Sequence, residues 1–401
     1  MKRTQECKTL YLTNNEEKAL AGERGEALEI AYRVLVALGK LTNAKRLIPI
    51  EWAHVSGVSY LTIGDYGLEF LKKISSVRGT KFKVFTTVNP CGMDIEKWDE
   101  LEIPADYAEK QLKIISYYEK LGIANSFTCV PFQSYKVPKR GTAVAWAESS
   151  AAIYANSILG LHTNRESAVS ALAAALTGKT VLSDLHLPYN RKPSKNIRIA
   201  MRKKDGLNGS VDFGVLGYFA GREVPGVIGF QGLKPKISMA EAKALCAAIG
   251  TMGSSGMFVN NSKERVETID FTEFEYEKTI SDISDSSEGD LIVFGCPQMT
   301  IEELYDLSKS LAGKKLKKRC VVFCSSKIYD TARTRGYAQV IEAAGATFVR
   351  DACADFTPLI SALHAESVET DSCKGAHYMK KVHGVKIALK DTRTILEENA
   401  I

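Results

Sequence analysis

Apolar residues recur at helical spacing near the start of the chain: Leu20, Ala27, Ile30, Ala31, Val34, Leu35 and Leu38 share one face. Thr13-Asn14-Asn15-Glu16 has capping-box spacing, so the pattern predicts a helix that opens there and closes at a cap on Gly39. Gly22 and Gly25 lie inside it, where glycine weakens a helix, and predict a close crossing or the approach of a ligand. The period then changes. Residues 46–50 read as a strand running into Ser56-Gly57-Val58-Ser59, and residues 83–88 as a strand running into Asn89-Pro90-Cys91-Gly92. A helix over about 106–121 and a strand-like run over 126–131 follow. Alternation of strand, polar or glycine-rich loop and helix reads as α/β. Small-residue helices are expected over 143–159 and 167–176, and short β-like runs with glycine turns over 196–230. The glycine-serine run 250–256 follows an alanine-rich helix. The polar stretch 279–289 reads as a boundary. Beyond it comes the clearest pattern, β-α-β-α-β: strand 291–294, a helix opened by Thr300-Ile301-Glu302-Glu303, strand 320–324, a helix over about 328–344, and strand 346–350. Such short connections predict a parallel sheet with right-handed crossovers. The expected domains are an N-terminal α/β unit over 1–200 with polar loops, a smaller α+β segment over 201–285, and a C-terminal α/β unit over 286–401.

With 401 residues the chain can bury a large core, and 45% hydrophobic with 25% charged residues excludes disordered, collagen-like and coiled-coil classes. The net charge of +6 is mild. It suits anionic substrates, but no basic stripe points to nucleic acid. No run approaches the roughly 18 apolar residues of a membrane span, so no membrane association is expected. The basic start, Met1 to Lys8, has no apolar segment after it, and no signal peptide is expected. Nine cysteines, an odd number widely spaced, argue against a disulfide framework and for a reducing cytoplasm.

Three of those cysteines fall just past strands: Cys129, Cys296 in Gly295-Cys296-Pro297, and Cys353 in Asp351-Ala352-Cys353. Ligands of parallel sheets gather at such ends. Each could be a buried apolar thiol, a metal or cluster ligand, or a nucleophile, although no histidine shares their loops; Cys246, Cys320 and Cys324 read as core. Three thiolates on an iron–sulfur cube would leave one iron open as a Lewis acid, which suits loss of water from a hydroxy acid. Ser56-Gly57-Val58-Ser59 and Asn89-Pro90 can offer N–H groups to an anion, or be ordinary turns. Trp146-Ala147-Glu148-Ser149-Ser150 could be a site or a solvent-facing helix start. Thr370-Asp371-Ser372-Cys373-Lys374-Gly375 could likewise be a surface loop. Asn164-Arg165-Glu166 could clamp an anion or form an ion pair.

Several segments together resemble the aconitase X family: Arg46-Leu47-Ile48-Pro49-Ile50, Gly57-Val58-Ser59-Tyr60, Ile63-Gly64-Asp65, Thr87-Val88-Asn89-Pro90, Ala145-Trp146-Ala147-Glu148-Ser149-Ser150, Thr163-Asn164-Arg165-Glu166 and Ser170-Ala171-Leu172-Ala173-Ala174-Ala175. The likeness runs over about 10–385. It implies an aconitase-like fold of several α/β domains, with parallel or mixed sheets flanked by helices, and without the swivelling domain. That domain is implied to be a separate small subunit, giving a heterodimer or higher assembly, since the chain ends soon after residue 398. The implied activity is a hydro-lyase that takes water from (R)-5-phosphomevalonate, a phosphorylated hydroxy acid, giving trans-anhydromevalonate 5-phosphate for isoprenoid synthesis. Dehydration of cis-3-hydroxy-L-proline is the rival within the family; a zinc site, or a binding subunit inert without its partner, is the rival outside it. The resemblance implies a 4Fe-4S cluster, 3Fe-4S if oxidised, on Cys129, Cys296 and Cys353. It implies substrate contacts at Gly57, Val58, Ser59, Asn89, Pro90, Glu148, Ser149 and Lys374. Lys374 would stabilise a carboxylate or phosphate, Ser149 and Glu148 would orient the substrate, and the base would be a serine on the small subunit. The chain departs from the family pattern at Val130-Pro131-Phe132, at Gln298 where histidine is common, and at Cys91, Asp371 and Cys373. Cys91 and Cys373 are expected near the site as competing ligands.

Overall fold

Short strands, each closed by a glycine or polar loop and followed by a helix, place the loops of successive units at one end of each sheet. The computed structural model describes residues 10–124, 127–201 and 206–401. Cys7, the basic start of the chain and Ser126 lie outside the described residues. The first unit holds β1 (Leu47–Pro49), β2 (Trp52–Val55), β3 (Phe85–Val88), β4 (Ala145–Trp146) and β5 (Lys179–Val181). Its parallel sheet has the order β3-β2-β4, while β1 and β5 form a separate antiparallel pair. The loop at Ser56 therefore leaves β2, not the strand over 46–50. The polar His54 hides this strand in the sequence, yet all four of its residues are buried.

The second sheet, β6 (Lys195–Ile199), β7 (Ile228–Gln231), β8 (Phe258–Val259) and β9 (Thr268–Phe271), has the order β8-β7-β6-β9 and is parallel. The third, β10 (Leu291–Phe294), β11 (Arg319–Cys324), β12 (Ala346–Arg350), β13 (Ser367–Thr370) and β14 (Lys386–Leu389), has the order β12-β11-β10-β13-β14. All four of its pairings are parallel. The chain is thus α/β with parallel sheets flanked by helices. In the third sheet the strand order reverses beside β10. The crevice past the carboxyl ends of β10 and β13 is where such sheets receive ligands.

Three expected helices differ. Gly22 and Gly25, at φ of 86° and 95°, split the first into Asn14–Leu20 and Glu26–Leu41. Gly39 is not the cap: it lies inside the second of these, against Leu10, and Thr42 closes the helix. Gly336, at φ of 80°, likewise divides Ser326–Thr334 from Tyr337–Ala343. The stretch 143–159 contains β4 before its helix starts at Ser149. The largest surprise is Gly209–Glu223, expected as β-like runs but helical and almost wholly buried. Its glycines serve contact: a Cβ on Gly217 would sit 2.5 Å from the Leu245 carbonyl, and one on Gly221 2.7 Å from that of Ile249. That brings it close against the helix Met239–Met252, and apolar residues on every side remove the periodic signal.

The first and third units are joined at the loops that matter. Cys91 N–H donates to the Asp351 carbonyl and Cys353 N–H to the Cys91 carbonyl, each at 2.9 Å. Asp94, almost fully buried, pairs with Arg350 at 3.2 Å.

Candidate active site

The loops after β2, β3 and β4 face those after β10, β12 and β13 across a cavity of about 360 Å³. Gly57, Val58, Ser59, Asn89, Pro90, Glu148, Ser149, Cys129, Cys296, Cys353 and Lys374 all line it. Gly57 takes φ of 79°, and its missing side chain leaves room for Ala168 and Ile63. Val58 and Ser59 then lead into the helix Tyr60–Ser76, where Tyr60 N–H donates to Gln111 Oε1 and Thr62 N–H to the Ser59 carbonyl, each at 3.0 Å. The Ser59 hydroxyl is engaged: it donates to the Phe356 carbonyl at 2.8 Å, tying this loop to the Cys353 loop.

Glu148 and Lys374 form an ion pair of 2.7 Å, with little of either side chain exposed. Burial alone pushes the Glu148 carboxyl up. Lys374, Asn89 and Ser150 outweigh this and hold it near a pKa of about 2. Burial works against the Lys374 ammonium too, but Glu148 and the acidic groups around it hold its pKa well above the ordinary lysine value. Both groups are therefore charged. Glu148 is not the solvent-facing helix start it could have been; it caps Ser149–Tyr154 from a buried position.

A chain of hydrogen bonds fixes the far side of the pair. Trp52 Nε1–H donates to Thr87 Oγ1 at 2.8 Å, and Thr87 Oγ1 lies 2.8 Å from His54 Nδ1. Trp52 only donates, so the Thr87 proton is free to point at Nδ1 and the imidazole carries its own on Nε2. Nε2–H then donates to Asn89 Oδ1 at 2.7 Å, and Asn89 Nδ2 donates to Glu148 Oε2 at 2.8 Å. Burial drops the His54 pKa to about 4, so the ring is neutral.

The three sulfurs come from three loops. Cys296 Sγ donates to Asp355 Oδ2 at 3.0 Å, and Cys129 Sγ accepts from Gln298 N–H at 3.2 Å. Burial raises all three thiols, Cys129 to about 12 and the other two well above the ordinary value, while Lys374 opposes the shift. Without a bound cation they stay protonated, as metal ligands cannot. Among the described residues no three His, Cys, Asp or Glu side chains converge as ligands of one metal ion. A cubane would differ from a single ion in asking only one protein sulfur of each iron, so its ligands need not converge on one point. As a donor set, three thiols on one cavity beside a buried ammonium fit such a cluster.

Cys91 and Cys373 do not line this cavity. The Cys91 thiol donates toward the Met93 and Asp351 carbonyls, and Cys373 packs against Gly214. Arg165 and Glu166 do not pair with each other: the guanidinium binds the carbonyls of Gly250, Gly253 and Ser255, while Glu166 accepts from Thr180. Sequence reasoning missed Asp355, Tyr378 and the His54 chain. Asp355 lies two residues past Cys353, and Tyr378 one helical turn past Lys374 in Cys373–His383, so spacing alone could have flagged both.

Family models for the first, second and third domains of aconitase X match residues 9–189, 193–280 and 289–400. The chain belongs to the aconitase X family. The phosphomevalonate dehydratase large subunit of Methanocaldococcus jannaschii is 37% identical over 97% of this chain and 100% of its own length. A crystal structure of Thermococcus kodakaraensis aconitase X in a holo-form has a TM-score of 0.89 and 35% identity, and covers 97% of this chain and 100% of that one. The cis-3-hydroxy-L-proline dehydratase of Hypocrea jecorina is 30% identical over 92% of this chain but only 65% of its own length. Both of the curated relatives are dehydratases by name, enzymes that eliminate water.

Proposed function

We propose that this aconitase X chain is the large subunit of a hydro-lyase that converts (R)-5-phosphomevalonate to trans-anhydromevalonate 5-phosphate, working with a small subunit in the cytoplasm. The observation that carries the reading is the cavity itself: three thiols, a buried Glu148–Lys374 pair and the Gly57–Ser59 and Asn89–Pro90 loops open on one space. We read Cys129, Cys296 and Cys353 as the ligands of a 4Fe-4S cluster. When bound, that group supplies an iron free of protein ligands, a Lewis acid for a leaving hydroxyl.

The chain's own groups do the rest. Lys374 has three N–H bonds and gives one to Glu148; it lines the cavity, and the others suit the substrate carboxylate, whose negative charge grows as the α-proton leaves. Glu148 accepts from Lys374, Asn89 and Ser150, so it holds the ammonium in place and orients the substrate through it. Ser149 offers its hydroxyl to the substrate. Gly57, Val58 and Ser59, with Asn89 and Pro90, shape the pocket for the phosphate. The base is assigned to a serine of the small subunit, and the three α/β units are read as domains that bring these loops together.

The Methanocaldococcus jannaschii relative named for phosphomevalonate matches this chain over its whole length, whereas the hydroxyproline enzyme extends well beyond it. Anaerobic turnover of (R)-5-phosphomevalonate and of cis-3-hydroxy-L-proline, each with and without the small partner, separates the readings. The expected result is turnover of the first alone, and only in the assembled complex. Turnover of hydroxyproline alone would overturn the substrate reading.

A further inference from the structure

Gln298 is 1% exposed and stands where the three cysteine loops meet. Its Nε2 donates to the Phe127 carbonyl at 3.3 Å and to the Ala352 carbonyl at 3.2 Å. Phe127 lies two residues before Cys129, and Ala352 one residue before Cys353. The main-chain N–H of Gln298 donates to the Cys129 sulfur at 3.2 Å, and Gln298 itself follows Cys296 by two residues. One residue therefore binds all three loops.

The arrangement is costly as packing. Both N–H bonds of the carboxamide reach their acceptors only when its nitrogen faces them, which leaves Oε1 buried with no partner among the described residues. A methionine would fill the same length without an orphaned oxygen. The backbone here is also held from behind. Lys243, buried in the helix Met239–Met252, donates to the carbonyls of Pro297 and Gln298 at 3.2 and 3.1 Å. Its own charge is met by Glu303 at 2.5 Å.

We propose that Gln298 is the positioning residue of the three-sulfur site: its carboxamide and main-chain N–H set the spacing of Cys129, Cys296 and Cys353 and polarise the Cys129 sulfur. Gln298 borders the cavity, but its carboxamide nitrogen is taken up by the Phe127 and Ala352 carbonyls, so it acts through the loops it holds. Outer hydrogen bonds of this kind orient metal ligands, and those to sulfur tune cluster potential. The spectroscopic arm of the test rests on the cluster reading above; the geometric arm does not.

Gln298→Met keeps the length and the main-chain N–H but removes both carboxamide donors; Gln298→Asn keeps an amide too short to span the loops, and serves if the first variant does not fold. The full chain, assembled with its small partner, is crystallised metal-free in wild-type and variant forms. It is also reconstituted anaerobically with Fe²⁺ and sulfide for iron content, reduced-state EPR and midpoint potential. In the variants the Phe127 and Ala352 loops should separate, iron affinity should fall about tenfold or more, and the EPR signal and potential of any cluster formed should change. The metal-free variants should still unfold cooperatively. The proposal is overturned if the three loops superpose on the wild type and iron uptake and EPR are unchanged. If the wild type itself takes up no iron, the cluster reading falls, and the loop positions in the metal-free crystals alone decide the role of Gln298.

Discussion

Glu148 and Lys374 hold opposite charges 2.7 Å apart in a nearly closed space, and neither residue type announces this. They are 226 positions apart, and the loop holding Lys374 reads equally well as solvent-facing. What was legible at this scale was the set of loops: residues at strand ends, rich in glycine, serine and asparagine. The His54 chain was not, because a histidine inside an apolar strand looks the same whether it serves packing or orientation. Lys374→Met leaves a buried carboxylate unpaired, and denaturant unfolding should show a loss of about 3–5 kcal/mol; a variant as stable as the wild type would contradict the pair. Glu148 sits near 2 against an ordinary 4.5, so the pair's contribution is complete above about 4.5 and lost as pH falls through 2. His54 sits near 4 against 6.5. The unfolded chain takes that proton first, so stability falls as pH drops from 6.5 towards 4. Imidazole NMR signals of His54 should titrate near pH 4; a midpoint near 6.5 would contradict the neutral ring. Among the thiols, Cys91→Ala and Cys373→Ala should leave iron content unchanged after reconstitution, whereas Cys129→Ala should lower it.

Elements were most legible where a cap and a period agree. Thr300 does cap Ile301–Leu311 with the expected box, and β10, β11 and β12 lie where the apolar runs placed them. They were least legible where glycine acts through tertiary contact. In Gly209–Glu223 it permits a close helix–helix approach, which no local propensity records; at Gly22, Gly25 and Gly336 it breaks a helix that the apolar period carries straight through. The helix contact makes a direct forecast. Gly217→Ala places a methyl 2.5 Å from the Leu245 carbonyl, and forcing the helices apart should cost about 1–3 kcal/mol, read from thermal or denaturant unfolding. An alanine variant as stable as the parent, or more so, would show that the crossing is loose.

At the scale of the whole molecule, two parallel sheets point their carboxyl ends at each other. A pattern of strands predicts which loops lie at the active end of a sheet, and so which residues compete for a ligand. It does not show that two sheets face one another; that is set by Asp94 with Arg350 and by the main-chain bonds between the Cys91 and Cys353 loops. Sulfurs 129, 296 and 353 were legible as three strand-end residues, only the family resemblance joined them as a set, and this docking brings them to one cavity. The proposed dehydration requires these sulfurs together to make the cavity competent to eliminate water. The most direct measurement is anaerobic turnover of (R)-5-phosphomevalonate by the complex with its small partner, with iron counted in the same samples, for the wild type and Cys353→Ser. Iron and dehydration are expected together in the wild type, and neither at wild-type level in the variant. Full turnover by iron-free protein would contradict this requirement.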